Sequence, residues 1–154
     1  MFLHPTQRRI ANYVNSGGTV YHYVFSYVGG RNMMKTRLNI TTGGASHSDE
    51  LGYLYDLPKY TETSSPDDQL IIDRITTLWT NFAKFGDPTP STTTLLPVKW
   101  LPVTRDRLHY LNITKEMELR TRPFHQRLSF LDLFYNTNKE YVRGYCNESS
   151  SSFL

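Results

Sequence analysis

Gly43-Gly44-Ala45-Ser46-His47-Ser48-Asp49-Glu50-Leu51-Gly52-Tyr53-Leu54-Tyr55 is the stretch on which the reading of this chain turns. Two glycines precede a histidine, two carboxylates follow it, and an aromatic and apolar run from Leu51 to Leu57 closes the segment. The glycines permit a tight backbone course that side chains would obstruct. Imidazole titrates near neutral pH and can both take and give a proton, so His47 is a candidate general base. A structural histidine capping a loop is the other reading of the same residue.

The surrounding composition narrows the classes available. A chain of 154 residues is long enough for one domain with a core. Hydrophobic content of 38% and charged content of 20% fit an ordinary globular protein. The 11 tyrosines and 8 phenylalanines point to large packed surfaces or an aromatic-lined site. The net charge is +3, but the tightest basic groups, Arg8-Arg9 and Arg120-Thr121-Arg122, are too short for a nucleic-acid footprint. No run approaches the roughly 18 apolar residues of a membrane span. The residues after Met1 lack the apolar core of a signal peptide. The single cysteine, Cys146, excludes an internal disulfide. Three Asn-x-Ser/Thr triplets, at Asn39, Asn112 and Asn147, are possible N-glycosylation sites.

Outward from the histidine loop, the chain reads as α/β. Residues 4–13 predict a short helix with Arg8 and Arg9 in water and Ile10, Tyr13 and Val14 packed. Residues 19–28, TVYHYVFSYV, predict the strongest strand, apolar enough to be buried on both faces of a largely parallel sheet, with His22 a packed core or edge histidine. Residues 29–42 read as a basic connection. Ser65-Pro66-Asp67-Asp68 predicts a helix start, with a capping serine, proline at the first position and acids in the first turn. Leu70, Ile71, Ile75, Leu78, Trp79, Phe82 and Phe85 recur at helical spacing until Gly86 and Pro88 stop the run. Val98-Lys99-Trp100 suggests a short strand, 108–113 and 117–121 a hairpin, and Arg122-Pro123 the start of a last helix carrying Phe124, Leu128, Leu131 and Phe134 or Tyr135 on one side. Residues 1–145 form one unit on this reading, and 146–154 a disordered serine-rich tail. The five histidines make no i,i+4 pair and no cysteine cluster supports them, which argues against a metal site.

Taken in order, these pieces resemble the C-terminal portion of a type-B carboxylesterase of the insect esterase kind. Val20-Tyr21-His22-Tyr23-Val24-Phe25 resembles the late strand before the family's catalytic histidine, and residues 44–55 resemble its histidine loop. Trp79-Thr80-Asn81-Phe82-Ala83-Lys84-Phe85-Gly86-Asp87-Pro88 resembles the long C-terminal helix and its stop. Trp100-Leu101-Pro102 and Tyr110-Leu111-Asn112-Ile113 resemble the small hairpin region beyond it. The likeness runs over about residues 2–135.

The resemblance implies the C-terminal portion of an α/β-hydrolase fold: late strand, histidine loop, long helix, small hairpin and terminal helix. It makes His47 the triad histidine, which deprotonates a serine and later protonates the leaving alcohol. The substrate it implies is a small-molecule carboxylic ester, with no cofactor, in an exported protein. Family order is Ser, then Asp or Glu, then His, so this chain holds the last member. It contains no Gly-x-Ser-x-Gly elbow, and Asp49 and Glu50 follow His47 too closely to be the family's acid. Glu50 is expected either to brace the loop or to be a solvated acid. Met1 reads as an internal methionine, and the chain alone is expected to be catalytically silent and of marginal stability. A non-catalytic esterase-like adhesion or ligand-binding protein is the alternative.

Overall fold

A computed structural model describes residues 3–57 and 64–141. The element order is α1 (Leu3–Asn15), β1 (Tyr23–Phe25), α2 (Met33–Leu38), α3 (Leu51–Leu54), α4 (Pro66–Phe85), β2 (His109–Ile113), β3 (Glu118–Thr121) and α5 (His125–Thr137). The serine-rich tail and the Asn147 triplet lie outside the described residues.

α4 follows from its local chemistry. Ser65 stands in extended backbone and its Oγ accepts the Asp68 N–H, Pro66 occupies the first turn, and Gly86 ends the helix at φ +68°. The left-handed turn at Gly86 costs a side-chain-bearing residue energy that glycine avoids. Ile71, Ile75 and Leu78 are fully buried in a cluster with Tyr53, Leu96, Trp100, Leu111, Ile113 and Met117. The predicted apolar face is therefore fully buried at these three positions, Trp79 packs against the cluster half-buried, and Phe82 and Phe85 stay 50% and 65% exposed. Arg74 on the same helix is buried, with Nε donating to the Leu95 carbonyl at 2.8 Å and Nη1 to that of Lys115.

The sheet order is β1-β2-β3, with β1 parallel to β2 and β2 antiparallel to β3. The hairpin is as predicted, with His109 opposite Thr121 and Leu111 opposite Leu119. The strand expected to be buried on both faces is not. β1 keeps three half-buried residues, whereas β2, lying between its two neighbours, is buried at all five positions. Pairing along β1 stops where the N–H groups of both Ser26 and Tyr27 turn to the Ile113 carbonyl, each at 3.0 Å. His22 is buried as expected, and the burial pushes its imidazole pKa down.

Four other expectations change. Residues 29–42 are not a plain connection but contain α2. Residues 98–100 form no strand: the Trp100 N–H goes to Thr89 Oγ1 at 2.9 Å, and its indole N–H to the His22 carbonyl at 3.1 Å. The last helix begins at His125, after Phe124 at φ +51°, and of its apolar residues Leu128 is buried while Phe124, Leu131 and Phe134 face outward. α5 rests on α1 through polar groups, with His4 Nε2 2.9 Å from Asp132 Oδ1 and the Arg8 guanidinium 3.4 Å from the Tyr135 ring centre. Tyr13, expected to pack, is exposed.

Candidate active-site loop

His47 lies on the turn between α2 and α3, with its side chain exposed. Gly43 takes φ +76°, so the expected need for glycine holds there; no neighbour crowds either Gly43 or Gly44, and the predicted close packing is absent. The residue after the histidine, Ser48, takes φ +71°. That conformation is uncommon for a side-chain-bearing residue and costs of the order of 1 kcal/mol.

The loop is fastened from beneath by two buried charged side chains. Asp49 is 0% exposed. Its Oδ1 accepts the N–H groups of Met34 and Lys35 at 2.7 and 3.0 Å, and its Oδ2 accepts the Ser46 N–H at 2.6 Å. One carboxylate thus serves two roles. It caps the first turn of α2, whose own N-cap residue Asn32 makes no side-chain cap bond, and it closes the histidine loop on itself. Three N–H donors offset the cost of burying the charge. Lys35 is buried too, and its ammonium donates to the carbonyls of Thr42, Gly43 and Gly44 at 2.6, 3.1 and 3.4 Å.

A second polar knot ties this platform to α4. Asp68 Oδ1 accepts from the Tyr27 hydroxyl at 3.1 Å, and its Oδ2 accepts the Gly30 N–H at 3.2 Å. The Tyr53 hydroxyl lies 3.1 Å from Asp68 Oδ1 and 2.9 Å from Asn32 Oδ1, and accepts the Arg31 N–H at 3.3 Å. Asn32 Oδ1 also accepts the Gly29 N–H at 2.7 Å, while Nδ2 donates to the Tyr27 carbonyl at 3.0 Å. A β-carbon at Gly29 would fall 2.0 Å from Asp68 Oδ1, so only glycine fits. Burial, then the nearby Asp68 charge, raises the pKa of the Tyr27 and Tyr53 hydroxyls.

Glu50 is half-buried beside Tyr23 of β1, whose pKa is pushed up to about 12, by burial first and then by the Glu50 carboxylate. Tyr23 also lines a cavity of about 190 Å³ with Tyr21, Trp79, Phe82 and Trp100. Of the glycosylation triplets, Asn39 is exposed at the end of α2. Asn112 is buried in β2 and its Oδ1 accepts from Ser26 Oγ at 2.7 Å, a position a glycan could not share. Among the described residues no group of three His, Cys, Asp or Glu side chains could hold a metal ion. Asp49, Lys35, Asn32 and Asp68 are the residues that sequence reasoning missed as supports. Their partners lie up to 41 residues away, and no local pattern marks them as such.

The sequence profile of the carboxylesterase family matches residues 1–131. The chain belongs to that family. It is 30% identical over 142 residues to the bile salt-activated lipase of Bos taurus, covering 89% of this chain and 22% of the relative. Against the Homo sapiens protein of the same name the identity is 31% over 136 residues, covering 85% and 17%. The chain thus spans about a fifth of the length of the curated relatives it matches. The juvenile hormone esterase of Manduca sexta superimposes with a TM-score of 0.72 at 24% identity, over 88% of this chain and 26% of that one. A Geobacillus stearothermophilus carboxylesterase gives 0.57 at 20% identity, over 78% and 23%. The fold is accordingly part of an α/β-hydrolase, as the order of motifs predicts. Among the described residues no helix is long and apolar enough to cross a membrane.

Proposed function

We propose that this chain supplies His47 as the general base and acid of a serine-type carboxylic-ester hydrolase. The observation that carries the reading is an exposed imidazole on a loop clamped from below, within the segment that matches the carboxylesterase family. An ester hydrolase of this type needs an activated nucleophile, a base held in one orientation and donors aimed at the developing oxyanion. His47 meets the second need. The sequence holds no Gly-x-Ser-x-Gly elbow for the first, so the remaining machinery is assigned to polypeptide beyond this segment. The Manduca sexta enzyme was solved with OTFP covalently attached. Glu50, beside Tyr23, is assigned to bracing the end of the loop. The substrate is a small-molecule carboxylic ester, and no cofactor is required.

Export from the cell belongs to the same proposal and rests on the exposed Asn39-Ile40-Thr41 triplet. Enzymatic removal of N-linked sugar from the native protein should lower its mass by a glycan at Asn39.

The function is tested in two steps. The chain alone should not turn over p-nitrophenyl acetate above background, and organophosphate-sensitive turnover would contradict this. The transcript read upstream of Met1 should encode an elbow serine and a later acid in frame. A substituted elbow would instead favour a non-catalytic esterase-like binding protein.

A further inference from the structure

We propose that Asp49 and Lys35 are positioning residues for His47, and that the loop owes its geometry to their two buried charges rather than to apolar packing. The inference rests on reading His47 as the base. Asp49 lies two residues after His47, and its carboxylate grips the Ser46 N–H on the near side and the first turn of α2 on the far side. Lys35 sits in that same turn and holds the carbonyls of Thr42, Gly43 and Gly44, the strand of loop leading to the histidine. α2 therefore fastens the loop on both flanks of the imidazole, through its first-turn N–H groups to the Asp49 carboxylate and through the Lys35 ammonium to the loop carbonyls. Hydrogen bonds to charged groups are short and directional, so a backbone held by six of them has little room to shift. That restriction is what a general base requires. A displacement of about 1 Å at a reacting group can cost on the order of a hundredfold in rate. The left-handed Ser48 between His47 and Asp49 fits the same picture, since strained backbone persists where surrounding contacts over-determine it.

The chemistry of each side chain sets the test. Asn at position 49 can still accept the Met34 and Lys35 N–H groups through Oδ1, but its Nδ2 is a donor and cannot accept from Ser46. Asp49→Asn should therefore free the histidine side of the clamp and leave the α2 side closed. Lys35→Met keeps the buried stem and should release residues 42–44. The measurement is backbone 15N relaxation on the 154-residue chain. Order parameters at Ser46, His47 and Ser48 should fall from a rigid level of about 0.85 to below about 0.6 in Asp49→Asn. The Ser46 amide signal, expected downfield for an N–H 2.6 Å from a carboxylate oxygen, should move upfield with them. Ile75→Val, a core change that lowers stability without touching the loop, should leave both readouts as in the wild type. A His47 that stays rigid in Asp49→Asn, or that loosens equally in Ile75→Val, would overturn the proposal. In an esterase polypeptide containing this chain, Asp49→Asn should lower kcat about a hundredfold with KM unchanged. His47→Ala, run beside it, separates the two claims. If His47→Ala has no effect the base reading fails; if it abolishes turnover while Asp49→Asn keeps full kcat, the positioning claim fails alone.

Discussion

Beneath α4 the buried apolar side chains Ile71, Ile75 and Leu78 are set against Leu111 and Ile113 of the sheet, with Arg74 and Asp68 the polar exceptions on the helix. Around the His47 loop the buried side chains are Arg31, Asn32, Lys35, Asp49 and Tyr53. One region is held by apolar area removed from water, a force without direction. The other is held by hydrogen bonds to buried charged and polar groups, which fix positions but leave a desolvation penalty whenever one partner is lost. The difference suits the two tasks. α4 has only to stay packed, whereas the loop, on the proposed assignment of His47, has to present a ring nitrogen at a set place.

The largest expected effect tests the apolar half. Leu78→Ala should lower stability by about 2–5 kcal/mol, read as one cooperative loss of α4 and loop signals together in denaturant unfolding. Loss of the loop alone would break the comparison. Asp49→Ala strands three backbone donors and should cost roughly 1–3 kcal/mol, less than the core change. Its loosening should be concentrated in residues 42–50 in NMR relaxation.

Titration sharpens the contrast. Burial lowers the folded-state pKa of His22 below its ordinary value of 6.5. Its contribution to stability is therefore full above pH 6.5 and is lost as pH falls through the lower folded value. His22→Leu should flatten that acid limb of stability against pH; an unchanged slope would place the proton uptake elsewhere. Tyr23 behaves oppositely, its pKa raised from 10.0 to about 12 by burial and then by Glu50. Its stabilisation is full below pH 10 and is lost between pH 10 and about 12. Tyr23→Phe should reduce the alkaline slope over that window. The smallest effect is expected on α5, where Phe130 and Leu133 are 68% and 67% exposed. Serine at either position should change stability of the isolated chain by less than about 0.5 kcal/mol, and a larger loss would mean that α5 is packed in solution.

How far the sequence could be read follows the same division. α4 was legible at both ends because its signals are local: Ser65 and Pro66 begin it, and Gly86 ends it in the one conformation glycine favours. The hairpin was legible for the same reason. Local pattern could not say which strand would lie in the middle of the sheet, and the apolar run 19–28 therefore looked more central than β1 is. α2 was missed because it is short and basic, and its helix-capping carboxylate arrives from Asp49, 15 residues away. Asp49 was set aside as the family's acid from its spacing alone, and its capping role was invisible for that reason. The resemblance of the motifs in order led to the family, and a lone histidine could not have.

The most direct test is made on an esterase polypeptide containing this chain, by comparing its turnover of p-nitrophenyl acetate with that of its His47→Ala variant at matched folded concentration. With His47 as the base, kcat falls on the order of a millionfold while the variant stays folded. Turnover that survives the substitution within tenfold would contradict the assignment.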